Sequence, residues 1–271
     1  MPLTNAALAT LIPNYYTEGS TKELADAIED VCSPAGNWGF ASSGIYVFWN
    51  VATHEILYIG LAVDLGLRFK QHNGLAGCPE NSSKREQIAA HFAANEKLGY
   101  TVLVQSPLSQ AQCAGREKAI PGELELAAEE LGYLDADEVR EIINTPLMNG
   151  LRWVEGALIR GFEQDYRRRP AWNRNSGAEI EYSDEDLARA RTMLRAVVFL
   201  KSDYLHLTSH CSMVELSASA THVTFESFLH GVRLLCRAGG PKFREVCEKF
   251  PDQAVWRRIQ EAKYMSKMPQ L

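Results

Sequence analysis

The stretch GIYVFWNVATHEILYIG, residues 44–60, holds two β-rich runs on either side of a polar turn, and each run carries a tyrosine, Tyr46 and Tyr58. Aromatic and β-branched residues bounded by polar turn residues predict a β-hairpin. Aromatics in paired strands ordinarily serve cross-strand packing, and taken singly each tyrosine fits that role. Two polar residues downstream change the question: Arg68 lies ten residues beyond Tyr58, and His72 four further on.

Beyond the hairpin, AVDLGLRFKQHNG reads as a short helix with Asp64 near its start and Gly74 at its end. Leu65, Arg68 and His72 recur at i, i+3 and i+7, which stacks the two polar side chains on one face. A second helix is expected at 83–97, capped by Ser82 or Ser83, and a third strand at YTVLVQS, 100–106. Upstream, STKELADAIEDV reads as a helix with Ser20 as N-cap and Glu23 completing a capping box. Thr145 and Pro146 open a longer helix that ends before Pro170. Its apolar stripe is Val154, Leu158, Ile159, Phe162 and Tyr166. Glu155 lies on or beside that stripe, where a carboxylate is costly unless something offsets its charge.

These residues resemble the GIY-YIG nuclease superfamily. The matching words are GIY (44–46), YIG (58–60), LAVDLGLRFKQH (61–72), WVEGALI (153–159) and PAWN (170–173), in that order. The resemblance covers roughly residues 44–173, and the interval from Arg68 to Glu155 is longer than in a minimal member. It implies an α/β (α+β) fold: a small three-stranded antiparallel sheet packed by helices, with inserted helices at about 78–98 and 110–145. A helical extension over 1–40 precedes this 41–180 unit, and a mainly helical subdomain over 181–271 comes after it, a candidate for target recognition. Helices are expected there from Ser183, from Thr224 as N-cap, and over PKFREVCEKF and DQAVWRRIQEAKYM, around an irregular 207–223.

The resemblance also implies a metal-dependent endonuclease that hydrolyses phosphodiester bonds, with Tyr46, Tyr58, Arg68, His72, Glu155 and Asn173 at its site. Glu155 would hold Mg²⁺ (or Mn²⁺), an ion satisfied by one or two carboxylates and several waters. Arg68 offers phosphate a planar fork of donors. One tyrosine would activate water, although a phenol with a free pKa of about 10 is a poor base. The other tyrosine would position the water or the phosphate, and the sequence leaves open which is which; Tyr46, with His72 as a hydrogen-bonding assistant, is the favoured base, and Asn173 would orient the phosphate or brace the site.

DNA is the expected partner, for restriction, genome defence or repair, and RNA is the alternative. A non-catalytic nucleic-acid- or partner-binding module on the same fold is the competing reading. The formal charge of −6 opposes a nucleic-acid partner only globally, because 116–141 alone carries a net −6. Those acidic helices, 116–144, read as a solvated face or a protein-partner site. YRRRPAWNRN, 166–175, is basic and interleaved with aromatics. Arg167, Arg168, Arg169, Trp172 and Arg174 are therefore the candidate nucleic-acid contacts. His206, His210 and Cys211 lack a fourth ligand at zinc spacing. With no CxxC pair, no run of eighteen apolar residues and no basic leader at the N-terminus, the expectation is a reduced, cytoplasmic protein without membrane spans.

Overall fold

In the computed structural model, residues 8–32, 39–78, 83–105, 147–175, 177, 180–198, 204, 206–237, 243–250 and 252–271 are described. The hairpin forms as expected: β2 (Gly44–Asn50) pairs antiparallel with β3 (Ile56–Ala62). Asn50 Oδ1 accepts the Ala52 and Thr53 amides, and His54 takes a positive φ of 58° to reverse the chain. The register sets Tyr46 opposite Gly60 and Phe48 opposite Tyr58. With a side-chain period of two, both tyrosines thereby share one face.

The sheet has four strands rather than the expected three, in the order β1-β4-β2-β3 and antiparallel throughout. β4 (Leu98–Gln105) is the expected third strand, and the unexpected member is β1 (Leu8–Tyr16). The 1–40 extension is therefore strand and helix, not helix alone. Pro13 interrupts the strand signal of β1 in the sequence. Proline is tolerated here because β1 pairs with only one strand of the sheet. Its outer side is met instead by residues 207–209, through Leu11 N–H to Leu207 O at 2.9 Å and Ser209 N–H to Leu11 O at 2.8 Å.

Helices cover both faces. On one lie α1 (Thr21–Val31), α2 (Leu65–His72) and α3 (Arg85–Ala94). Phe48, Tyr100 and Val102 pack there with Leu24, Ile28 and Phe69. On the other lie α4 (Leu147–Tyr166) and α5 (Asp184–Val198), whose Val154, Leu158, Phe162 and Leu194 meet Ile45, Val47, Trp49 and Leu103. Large side chains taken out of water contribute about 2 kcal/mol each, so alternation along β2 anchors both layers.

The C-terminal helices are α6 (Met213–Ser217), α7 (Ala220–Arg237), α8 (Phe243–Lys249) and α9 (Gln253–Glu261). They share the first core, where Leu229 and Val232 join the cluster that contains Ile12 of β1. A fully buried ion pair ties them to that strand. Arg233 Nη1 donates to Glu226 at 2.8 Å and to Thr10 Oγ1 at 3.0 Å, while Nη2 donates to the Thr208 carbonyl at 2.8 Å. Helix α7 begins at Ala220, so Thr224 is an interior residue whose hydroxyl bonds the Ala220 carbonyl.

At α1 the expected capping box lies one turn earlier. Thr17 and Ser20 cap each other around a short 3-10 turn, which takes the Ser20 hydroxyl from α1. The capping residue of α3 is Lys84 rather than Ser83, whose hydroxyl accepts the Arg85 amide at 3.4 Å, and Ser82 lies outside the described residues. No helix among the described residues is long and apolar enough to cross a membrane. The acidic segment 116–144 and the start of the long helix at Thr145 and Pro146 lie outside the described residues.

Candidate functional site

Asp64 caps α2 by accepting the Leu67 amide at 2.8 Å, and that cap sets which helix face meets the hairpin. From that face His72 Nε2 reaches the Tyr46 hydroxyl at 2.7 Å, and Arg68 Nε donates to the same oxygen at 3.3 Å. The Lys84 backbone amide donates to His72 Nδ1 at 3.0 Å. An amide can only donate, so Nδ1 is the bare nitrogen, and Nε2 carries the proton that points at Tyr46. Burial, with the nearby charges of Arg68 and Lys84, pushes the imidazole down to about 3, so His72 is neutral at ordinary pH.

Tyr46 therefore receives two hydrogen bonds on its oxygen and keeps its own proton to give. The interaction between Tyr46 and Tyr58 raises the pKa of the first and lowers that of the second. Burial outweighs these effects and holds both phenols above their usual range. The two differ in access: Tyr46 is 1 % exposed, whereas Tyr58 is half-buried and reaches solvent. The rings stand 5.7 Å apart over Gly60. A Cβ there would come within 2.6 Å of Tyr58 Cε1 and 2.7 Å of the Tyr46 hydroxyl oxygen.

Glu155 comes to the site from α4, on the other side of the sheet. It is largely buried, accepts a backbone hydrogen bond from Leu61, and lies near enough to raise the Tyr58 pKa by its charge. Burial pushes its carboxyl from 4.5 up to about 7, against the lowering effects of the Leu61 amide and Arg152.

Asn173 is a brace. Its Oδ1 accepts the Ile59 amide at 2.9 Å and its Nδ2 donates to the Ile59 carbonyl at 2.8 Å. Both groups of the residue between Tyr58 and Gly60 are thus satisfied on the free edge of β3. Trp172 extends the contact through its amide to the Leu57 carbonyl at 2.8 Å. Asn173→Ala removes both bonds and is expected to cost about 2 kcal/mol. Urea unfolding checks this, as a lowered midpoint with an unchanged slope.

The basic stretch is more occupied than its sequence implies. Arg168 pairs with Glu55 at 2.7 Å, and Arg169 bonds the Arg174 carbonyl at 2.6 Å and lies 3.8 Å from Glu163. Trp172 is no open stacking platform, since its ring packs against Phe48 and His91, with centroids 6.0 and 6.2 Å away. Arg167, with φ 56°, ends α4 and is exposed, as is Arg174. The charge of Arg174 is felt at Lys84.

Lys84 is a residue that sequence reasoning misses. It sits in a serine- and charge-rich turn with no periodic or motif signal. Its ammonium lies 4.6 Å from the centroid of the Tyr58 ring. Among the described residues no group of three metal-capable side chains gathers. His210 and Cys211 have other engagements: the His210 ring bonds the Lys267 carbonyl, and the Cys211 thiol accepts from Tyr264. No protein-family model, curated protein or solved structure matches this chain.

Proposed function

We propose that this chain is a phosphodiesterase of the GIY-YIG type, a metal-dependent endonuclease acting on DNA. One observation carries the reading: the Tyr46 hydroxyl is bonded by both His72 and Arg68, and its ring lies beside that of Tyr58 over Gly60. Glu155, from a separate part of the sequence, supports the reading because its charge is felt at Tyr58.

Hydrolysis needs a water stripped of its proton and a phosphate whose growing charge is met by fixed donors. Tyr58 is the better proton acceptor of the pair. It faces solvent, and the neighbouring Tyr46 and Arg68 both lower its pKa, which favours its phenolate. Tyr46 relays the orientation imposed by neutral His72, and Arg68 brings a guanidinium to the phosphate oxygens. Glu155 fits a divalent cation, because among the described residues its largely buried carboxylate has the Leu61 amide and the charge of Arg152 as favourable partners and no other cation. A bound Mg²⁺ or Mn²⁺ would supply charge neutralisation at the phosphate and the departing oxygen. Neutralising the Glu155 charge also removes one influence that keeps the Tyr58 proton in place.

The testing experiment offers supercoiled duplex DNA, single-stranded circles and structured RNA to the protein with Mg²⁺ or Mn²⁺, beside EDTA controls. Cleavage of DNA that EDTA abolishes supports the reading. Binding without cleavage of any substrate would replace it with a nucleic-acid-binding module, and cleavage of RNA alone would move the substrate class. Within the same assay, Tyr58→Phe is expected to slow cleavage about 10³-fold, the scale of a lost general base. Tyr46→Phe should slow it only about tenfold and retain the rise in rate with pH that a phenolate acceptor requires. The reverse order would return the role of base to Tyr46.

A further inference from the structure

Lys84 presents a problem that its own fold does not solve. The residue is 7 % exposed, yet among the described residues no carboxylate pairs with its ammonium. The Tyr58 ring lies beneath the ammonium, and His72 is reached through the backbone amide alone. The ammonium keeps some contact with water, but a cation partly withdrawn from solvent without a counter-charge is costly, and a ring face offsets only part of that cost. The neighbouring charges make matters worse. Burial first, then the repulsion of Arg174 and Arg68, hold the Lys84 ammonium below its usual range. Lys84 over the Tyr58 ring, Arg68 bonded to the adjoining Tyr46, and Arg174 next to the residues bonded to Leu57 and Ile59 bring three cations from separated parts of the chain to the neighbourhood of Tyr58, an arrangement that an anion would relieve.

Resting on the phosphodiesterase reading, we propose that Lys84 is a phosphate-binding residue, whose ammonium completes with Arg68 and Arg174 a cradle for the nucleic-acid backbone beside Tyr58. The backbone amide and the ammonium have separate tasks. The amide sets the His72 tautomer and survives any side-chain substitution, while the ammonium takes the phosphate. A polyanionic strand is favoured over a single small anion because Arg174 lies beyond the edge strand, on the segment that runs along β3. One tetrahedral group would satisfy fewer of the three cations than successive phosphates do.

The test measures binding of a fluorescein-labelled mixed-sequence duplex by anisotropy, in EDTA so that nothing is cut, across a series of KCl concentrations. Wild type is compared with Lys84→Met, Lys84→Arg and the distant surface variant Lys249→Met. Lys84→Met keeps the apolar stem and the backbone amide, so its melting temperature should stay at or above that of wild type. Its affinity should fall about tenfold at low salt, and the slope of log K against log salt should shrink by about 1. Lys84→Arg should restore the slope, and Lys249→Met should not change it.

An unchanged slope in Lys84→Met overturns the proposal, and so does a wild type that fails to bind the duplex. The two readings separate in the same preparations once Mg²⁺ is added. Cleavage by wild type with a Lys84-independent salt slope keeps the nuclease and discards the cradle. A Lys84-dependent slope with no cleavage keeps the cradle and discards the nuclease.

Discussion

Glu155→Gln is expected to bind duplex DNA, to leave it uncut with Mg²⁺ or Mn²⁺, and to unfold at a higher temperature than wild type above pH 7. The loss of cleavage comes from removing the one carboxylate that fits a cation at this site. The gain in stability comes from the position of that carboxylate. Burial raises its pKa from 4.5 to about 7, so between those values the folded chain holds a proton that the unfolded chain has released. Stability from this group is therefore fully present below 4.5 and is lost as pH rises through 7. The shift corresponds to about 3 kcal/mol above pH 7, and glutamine, which carries no charge to desolvate, does not lose it. The melting-temperature gap should close as pH falls from 7 towards 4.5. Added Mg²⁺ should stabilise wild type above pH 7 and leave Glu155→Gln where it was. Retained cleavage in the variant would remove Glu155 from the site, and a melting temperature equal to wild type at every pH would refute the account of its burial.

Gly60→Ala is the second large effect, and it separates the site from the scaffold. The added Cβ meets Tyr58 Cε1 at 2.6 Å and Tyr46 Cζ and Oη at 2.7 Å, so both phenols must move. Because the Tyr46 hydroxyl is bonded by both His72 and Arg68, its displacement breaks those bonds and moves it relative to Tyr58. A shift of about 1 Å in a reacting group typically costs about 10²-fold, and with two groups displaced cleavage should fall about 10³-fold. Overpacking of this kind lowers stability by about 1–3 kcal/mol, so the far-ultraviolet dichroism should remain that of the wild type. Gly44 differs: a Cβ there would meet the Leu103 carbonyl oxygen at 2.6 Å, so its alanine variant would strain the β2–β4 ladder itself. The first glycine of the hairpin serves the sheet and the last serves the tyrosines. Near-normal cleavage by Gly60→Ala would mean that the geometry beneath the phenols is not what sustains activity.

Much of this arrangement is legible locally. Alternation in 44–60 sets the hairpin, the shared face of Tyr46 and Tyr58, and the two buried layers. Asp64 starts α2 where the helical period brings Arg68 and His72 to that face. The position of Glu155 beside an apolar stripe already marks it as an expensive carboxylate, and its raised pKa reflects that burial. Signals that depend on one turn or one pleat are short-range, and the chain itself carries them.

The remainder depends on contacts between residues far apart in sequence. β1 gives no strand signal because Pro13 interrupts it, and only the place of β1 at the edge of the sheet makes proline harmless there. In sequence Asn173 reads equally as a phosphate ligand or a brace, and its two bonds to Ile59, 114 residues away, assign it to the strand edge. Arginines in a basic run look alike in sequence, although Glu55 engages Arg168 while the charge of Arg174 reaches Lys84. Lys84 has no motif, and its meaning comes from burial without a carboxylate. Sequence periodicity determined which side chains share a face. Tertiary packing decided which charges lose their water, because desolvation is a property of everything that surrounds a group rather than of its neighbours along the chain.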